Sequence, residues 1–209
     1  IVNGFDNKRI DNVLINKSKN KCYLKESYLK VLCVGTLNNT KNQIALLKAI
    51  KHIDKEMEII FLGDGENMQM LKDYSSSIQC HEMVSFKGLV SRDITIEHML
   101  EADVCISLSK GEGLPIAVLE SMYAGCYLIL SNIFPHLEVS PPEDRCIFVD
   151  PSNQEQIIES INHVLCNLNA IRLGRGISKE YSIDTFSADR MLEEYKAIYN
   201  SLCDHNKEI

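Results

Sequence analysis

Several features are absent from this chain of 209 residues, and each absence removes a class of function. No run of about 18 apolar residues is present, so no membrane-spanning helix is expected, and no secretory leader is recognisable. The eight cysteines are scattered and contain no C-x-x-C pair, which argues against a disulfide scaffold or a zinc site. The six histidines form no H-E-x-x-H pattern, so a metal centre is not expected. A G-x-S-x-G elbow, a G-x-x-x-x-G-K-[ST] loop and a G-x-G-x-x-G fingerprint are likewise lacking. Triad hydrolysis, P-loop chemistry and dinucleotide binding of the NAD type are therefore poor readings. Positive charge is not in excess: 22 basic against 29 acidic side chains leave a formal net charge of -7, which speaks against nucleic-acid binding. A local lysine and a few backbone N–H groups can still hold a small anion inside such a protein.

Short apolar runs alternating with helical patterns fill the rest. Residues 1–30 are polar, rich in Asn and Lys, and are expected to be an irregular lead-in or inter-domain segment. After them, residues 30–35, 58–62, 84–86, 104–108, 127–130 and 146–149 read as six buried strands. Helices are expected over 42–53, 66–75, 94–100, 115–124, 153–166, 174–181 and 184–200. Continuous apolar strands separated by helices indicate a parallel sheet covered on both faces. With right-handed crossovers this becomes an α/β fold, a doubly wound, Rossmann-like sheet of six parallel strands. Cys33 and Cys105 fall inside the strands and are expected to act there as small buried hydrophobes.

Such sheets bind ligands beyond the carboxyl ends of their strands, where the strand order reverses. The most informative loop is therefore Ser109 to Glu120, between the fourth strand and the helix that Pro115 opens. Gly113 lets a ligand approach the backbone, and the helix start presents unpaired N–H groups suited to phosphate, although the same glycines would also serve a plain tight turn. Glu120 lies in an otherwise apolar helix, where it either faces solvent or accepts hydrogen bonds from a ligand such as a ribose diol. Glu112 projects from the loop, within reach of sugar hydroxyls or simply adding charge to the first turn. After the first strand, Gly35-Thr36-Leu37-Asn38-Asn39-Thr40-Lys41 places one lysine near a diphosphate or in plain solvent. Gly63-Asp64-Gly65 and Lys87-Gly88-Leu89 end two further strands and shape the same cleft or merely turn the chain.

These stretches together resemble a known family. ADVCISLSKGEGLPIAVLESMYAGCYLILSN is similar to the signature of the retaining glycosyltransferases called family 4, which have the two-domain GT-B architecture, and Glu112 and Glu120 match its E-x7-E pattern. IVNGFD resembles the segment entering the second domain, VLCVGTLNNTKNQIALLKAI its first strand and phosphate loop, IIFLGDG and VSFKGLV its next two strand ends, and ADRMLEEYKAIY its closing helix. The resemblance implies one half of a GT-B fold: residues 31–183 as a donor-binding domain and residues 184–209 as a helix crossing toward an N-terminal acceptor domain outside this chain. The start at Ile1 rather than Met supports the expectation of a piece of something longer.

By the same resemblance, catalysis falls to Glu112, contacting the donor sugar, and to Lys41, neutralising the departing diphosphate. Gly35, Thr36, Gly113, Leu114 and Pro115 would line the sugar-diphosphate site, Glu120 would hold the ribose, and Gly88 and Leu89 would meet the base. No cofactor is implied beyond the substrate, a UDP-sugar first and a GDP- or ADP-sugar next. The implied partners are the nucleotide-sugar donor and a glycan or lipid-linked acceptor, with a cytoplasmic location at the inner face of a membrane reached through the other domain. Two departures stand out: Thr36 occupies a position where the family often has arginine, and Ile133-Phe134-Pro135 replaces a frequent Gly-Gly pair ahead of Glu138. A nucleotide-binding or assembly module without transfer and a GT-B sugar-nucleotide epimerase or phosphorylase remain as alternatives, because fold alone does not fix chemistry.

Overall fold

A computed structural model of the chain describes residues 4–18, 28–78, 83–139 and 141–205. The first three residues of IVNGFD, with Cys22, Cys80 and His81, lie outside the described residues. In chain order the elements are α1 (Asn7–Ser18), β1 (Leu29–Val34), α2 (Gln43–Ile50), β2 (Met57–Leu62), α3 (Met68–Ser77), β3 (Val84–Phe86), α4 (Arg92–Glu101) and β4 (Val104–Ser107). There follow α5 (Ile116–Tyr123), β5 (Tyr127–Ser131), α6 (Phe134–Val139), β6 (Cys146–Val149), α7 (Gln154–Cys166), α8 (Leu168–Leu173), α9 (Arg175–Phe186) and α10 (Ala188–His205).

The six strands make one sheet in the order β3-β2-β1-β4-β5-β6. All pairs are parallel. The order reverses between β1 and β4, so the loops leaving these two strands face each other across the switch point. Both faces of the sheet are covered, which is why the strands are apolar throughout. Leu29, Val31, Ile59, Phe61, Val104, Ile106 and Ile129 meet α2 and α7 on one side. Leu32, Ile60, Leu62, Cys105, Leu128 and Leu130 meet α4 and α5 on the other. Cys33 and Cys105 are buried free thiols, and burial pushes both up to about 12, so they pack as hydrophobes as expected.

The segment before β1 departs from the expectation of an irregular lead-in, because it contains α1. The helix is anchored by few apolar side chains: Phe5 and Ile10 are buried against α5 and Phe186. Backbone bonds complete the attachment, from Phe5 N to Phe186 O (3.0 Å) and from Ala188 N to Phe5 O (3.1 Å). The α9–α10 joint thus sits on the chain's opening segment.

Three arginines hold the C-terminal helices to the amino ends of the strands. Arg172 pairs with buried Asp103 at 2.7 and 2.8 Å. Buried Arg145 donates to Ser178, the Ile171 carbonyl and the Gly125 carbonyl. Arg175 donates to the carbonyls of Leu100, Ala102 and Ala124. This end of the sheet is therefore closed by structure, and the carboxyl end is left for a ligand. Along α10 the apolar stripe Leu192, Tyr195, Ile198 and Tyr199 is exposed. Among the described residues no helix is long and apolar enough to cross a membrane.

Candidate functional site

Lys41 is placed by its neighbours rather than by its own side chain. Its N–H donates to Asn38 Oδ1 (2.9 Å). The next residue, Asn42, is left-handed (φ 56°) and buried, and its amide donates to the carbonyls of Leu108 (3.2 Å) and Pro151 (3.3 Å). Lys110 N donates to Thr40 O (2.8 Å). The loop after β1 is thereby tied to the loop after β4, which brings together residues far apart in sequence. Lys41 Nζ lies 2.6 Å from both carboxylate oxygens of Glu112. Glu112 also accepts from Ser109 Oγ at 2.6 Å.

Gly35 and Gly63 let the first two strand ends approach. Gly35 has φ +144°, a backbone conformation that favours glycine, and it lies against the Lys41 stem. A Cβ on Gly63 would fall 2.1 Å from the Gly35 carbonyl oxygen, which only glycine permits. Gly63 in turn donates to the Gly88 carbonyl (2.9 Å). A cavity of about 230 Å³ opens alongside, lined in part by Gly35, Thr36, Gly63, Leu89, Val90 and Thr95. Leu89 is largely exposed at its edge. Thr36 brings no cation to it, and the Thr36 carbonyl instead accepts from Gln43 Nε2 (2.9 Å).

The loop before α5 supplies backbone donors, although of Gly113, Leu114 and Pro115, expected to line the sugar-diphosphate site, the last offers none. Pro115 has no N–H, and it serves as the helix cap, its carbonyl accepting from Val118 (2.9 Å) and Leu119 (3.1 Å). Ile116 N is also engaged, with Leu114 O (2.9 Å). Among the described residues, the N–H groups of Gly113, Leu114 and Ala117 keep no protein partner and remain for an anion. Space next to Gly113 is open, since a Cβ there would meet nothing within 4 Å.

Glu120 resolves the choice between exposure and burial: it is buried, 6% exposed, and its carboxylate is paired with Arg92. Burial pushes the Glu120 carboxyl above the usual range, and Arg92 opposes that shift. Arg92, 45% exposed at the start of α4, was not singled out from sequence. Its only signal was Ser91, the N-cap that accepts from Ile94 N (3.3 Å) and fixes where α4 begins. Also unforeseen is His136. The stretch that replaces the family's Gly-Gly pair runs into α6, and His136 is fully buried there among serines. Glu138, which follows in the same helix, is exposed.

The structure thus joins Gly35, Lys41 and Glu112 directly, links Gly88 to them through Gly63, and gives Glu120 a separate partner. One lysine and three backbone N–H groups without a protein partner lie in the loops at the switch point, and Glu112 and Glu120 are each paired with a cation.

The chain belongs to the glycosyl transferases group 1 family, whose sequence profile matches residues 15–170. It is 28% identical over 207 residues to the O-antigen biosynthesis glycosyltransferase WclY of Escherichia coli, covering 97% of this chain and 55% of that protein. It is 25% identical over 171 residues to the glycosyltransferase MJ1607 of Methanocaldococcus jannaschii, covering 81% of this chain and 44% of that protein. The chain therefore spans about half the length of the curated relatives it matches. Among solved structures, sucrose-phosphate synthase of Thermosynechococcus elongatus superposes with a TM-score of 0.82 at 17% identity, over 98% of this chain and 52% of that one. HepE of Anabaena in complex with UDP superposes with a TM-score of 0.81 at 16% identity, over 96% of this chain and 57% of that one. The six-stranded parallel sheet is one half of a GT-B fold.

Proposed function

We propose that this chain is the donor-binding half of a retaining glycosyltransferase that moves a hexosyl unit from a UDP-sugar to a glycan or lipid-linked acceptor. The observation that carries the reading is the Lys41–Glu112 pair set beside the free N–H groups of Gly113, Leu114 and Ala117. Sugar transfer breaks a glycosyl–phosphate bond, and negative charge grows on the departing diphosphate. Fixed donors aimed at that charge lower the barrier because they need no reorganisation when it develops. Lys41 and the three N–H groups are such donors.

Without a ligand, each carboxylate of the site is neutralised by a neighbouring cation. On donor binding, the diphosphate takes Lys41, and Glu112 turns its freed oxygens to the sugar hydroxyls, still held by Ser109. The ribose hydroxyls take Glu120, and Arg92 is free to follow the nucleotide or return to solvent. Gly88 and Leu89, at the edge of the cavity, meet the base. The UDP in the HepE complex supports uridine as the base, and the O-antigen role of WclY supports a glycan acceptor. Retention of the anomeric configuration rests on the family resemblance. The acceptor binds across the cleft on the other GT-B half, against which the exposed stripe of α10 packs, so the chain alone turns over little donor.

Calorimetric titration with UDP, GDP and ADP, repeated on Glu120→Ala, tests this. UDP is expected to bind most tightly and to weaken about tenfold or more in the variant, the loss of charged hydrogen bonds to the ribose. Equal binding of the three nucleotides, or an unchanged affinity in the variant, counts against the assignment.

A further inference from the structure

Beneath the Lys41–Glu112 pair lies a buried polar chain that the proposed reaction leaves unused. Ser107 ends β4 and Ser109 follows it by two residues, while Ser131 ends the neighbouring β5. His136 of α6 is fully buried against them. A buried imidazole is costly unless both ring nitrogens find partners, and both do. Nδ1 lies 2.9 Å from Ser131 Oγ and 3.1 Å from the Ser131 carbonyl oxygen. Nε2 lies 3.4 Å from Ser107 Oγ.

The protons of this chain can be counted. A serine hydroxyl has one proton. Ser131 Oγ donates its own to the Ser109 carbonyl at 2.6 Å, so toward the ring it accepts. The Ser131 carbonyl also only accepts, and Nδ1 therefore carries the hydrogen. Burial lowers the pKa of the ring and keeps it neutral, which leaves Nε2 as an acceptor for the Ser107 hydroxyl. Ser109 Oγ spends its proton on Glu112 and Ser107 Oγ spends its own on Nε2, so the 3.3 Å contact between these two hydroxyls carries no proton. The directed route from the ring therefore runs from Nδ1 through Ser131 to the Ser109 carbonyl, and it fixes the residue whose hydroxyl reaches Glu112.

We propose that His136 is a positioning residue for Glu112, acting through Ser131 on the carbonyl of Ser109. The inference rests on the reading of Glu112 as part of the donor site. Its consequence is that Glu112 stays anchored when Lys41 passes to the diphosphate. Without His136, Ser109 loses its anchor and Glu112 collapses onto Lys41, competing with the diphosphate for that cation.

Two measurements test it. In the unliganded chain, nitrogen-15 spectra of the histidine ring are expected to show hydrogen on Nδ1 and to shift in Ser131→Ala. Hydrogen on Nε2, or a ring signal indifferent to Ser131→Ala, overturns the proposal. In calorimetric titration with UDP, His136→Leu is expected to weaken binding about tenfold when Glu112 is present, the effect of one charge-assisted hydrogen bond. In the Glu112→Gln background it should change UDP binding less than about twofold, since a neutral side chain no longer competes for Lys41. His136→Asn, whose amide replaces the Nδ1 donor, should recover most of the loss. A merely structural histidine would weaken UDP equally in both backgrounds, and that result overturns the proposal. If the unaltered chain binds no UDP at all, the donor-site reading fails while the ring spectra still decide the role of His136.

Discussion

Replacing Lys41 with methionine keeps the apolar stem of the side chain and removes its charge. Glu112, with a side chain only 9% exposed, is then left with Ser109 as its partner, while Lys41 itself is 28% exposed. Removing one member of a fully buried pair costs about 3–5 kcal/mol, and breaking an exposed pair costs about 0–1 kcal/mol. This pair opens to the cleft on the lysine side, so water partly reaches the orphaned carboxylate and a cost of roughly 2 kcal/mol is expected. For a chain of this size that lowers Tm by about 4–8 °C. Glu112→Gln leaves the more accessible lysine, which rehydrates, and should cost about half as much, roughly 1 kcal/mol. The double variant leaves no unpaired charge and should lie close to the unaltered chain. Thermal and denaturant unfolding of the four proteins then give a coupling of about 3 kcal/mol. Strictly additive losses would refute the claim that the two side chains neutralise each other in the unliganded protein.

Glu120 carries a pH signature. Its pKa is raised on folding, so the folded chain holds a proton more readily than the unfolded one. Stability is full below the ordinary glutamate pKa and falls as pH rises through the folded one. Glu120→Gln should therefore match the unaltered Tm near pH 4 and exceed it near neutrality, where the buried charge is gone. An equal or lower Tm at neutral pH would contradict this. His136 has the opposite sign: its lowered pKa means the unfolded chain takes up the proton first, so stability is lost as pH falls below about 6.5. His136→Asn should flatten that acid limb in unfolding measured across pH. Gly113→Val meets open space and should leave Tm unchanged, yet weaken UDP binding by crowding the phosphate position. A large loss of Tm would show that the loop glycine is structural.

The strands were legible because a sheet covered on both faces demands continuous apolar runs, and each such run became a strand. The switch point followed from that pattern, and with it the loops worth searching. Helix α1 was not legible, since its hold on the core comes from Phe5, Ile10 and backbone bonds to the α9–α10 joint, none of which a polar, Asn-rich stretch advertises. Helix α6 was hidden by Pro135 and by the expectation of a glycine loop. Within the site, the resemblance singled out Lys41, Glu112 and Glu120, but not how they are paired. Lys41 meets Glu112 across 71 residues, and Arg92 meets Glu120 across 28. Such contacts are set by how loops converge on the sheet edge, which no local pattern records. His136 was passed over because its partners are serines, residues that carry no charge or periodicity to mark them.

In the proposed site a departing diphosphate settles on Lys41 and the N–H groups ahead of α5. A crystal structure of the chain with UDP tests it most directly. The account predicts the terminal phosphate within about 3 Å of the Gly113 and Leu114 nitrogens and of Lys41 Nζ, with that lysine drawn away from Glu112. A diphosphate bound elsewhere, with Lys41 still clasped to Glu112, would contradict it.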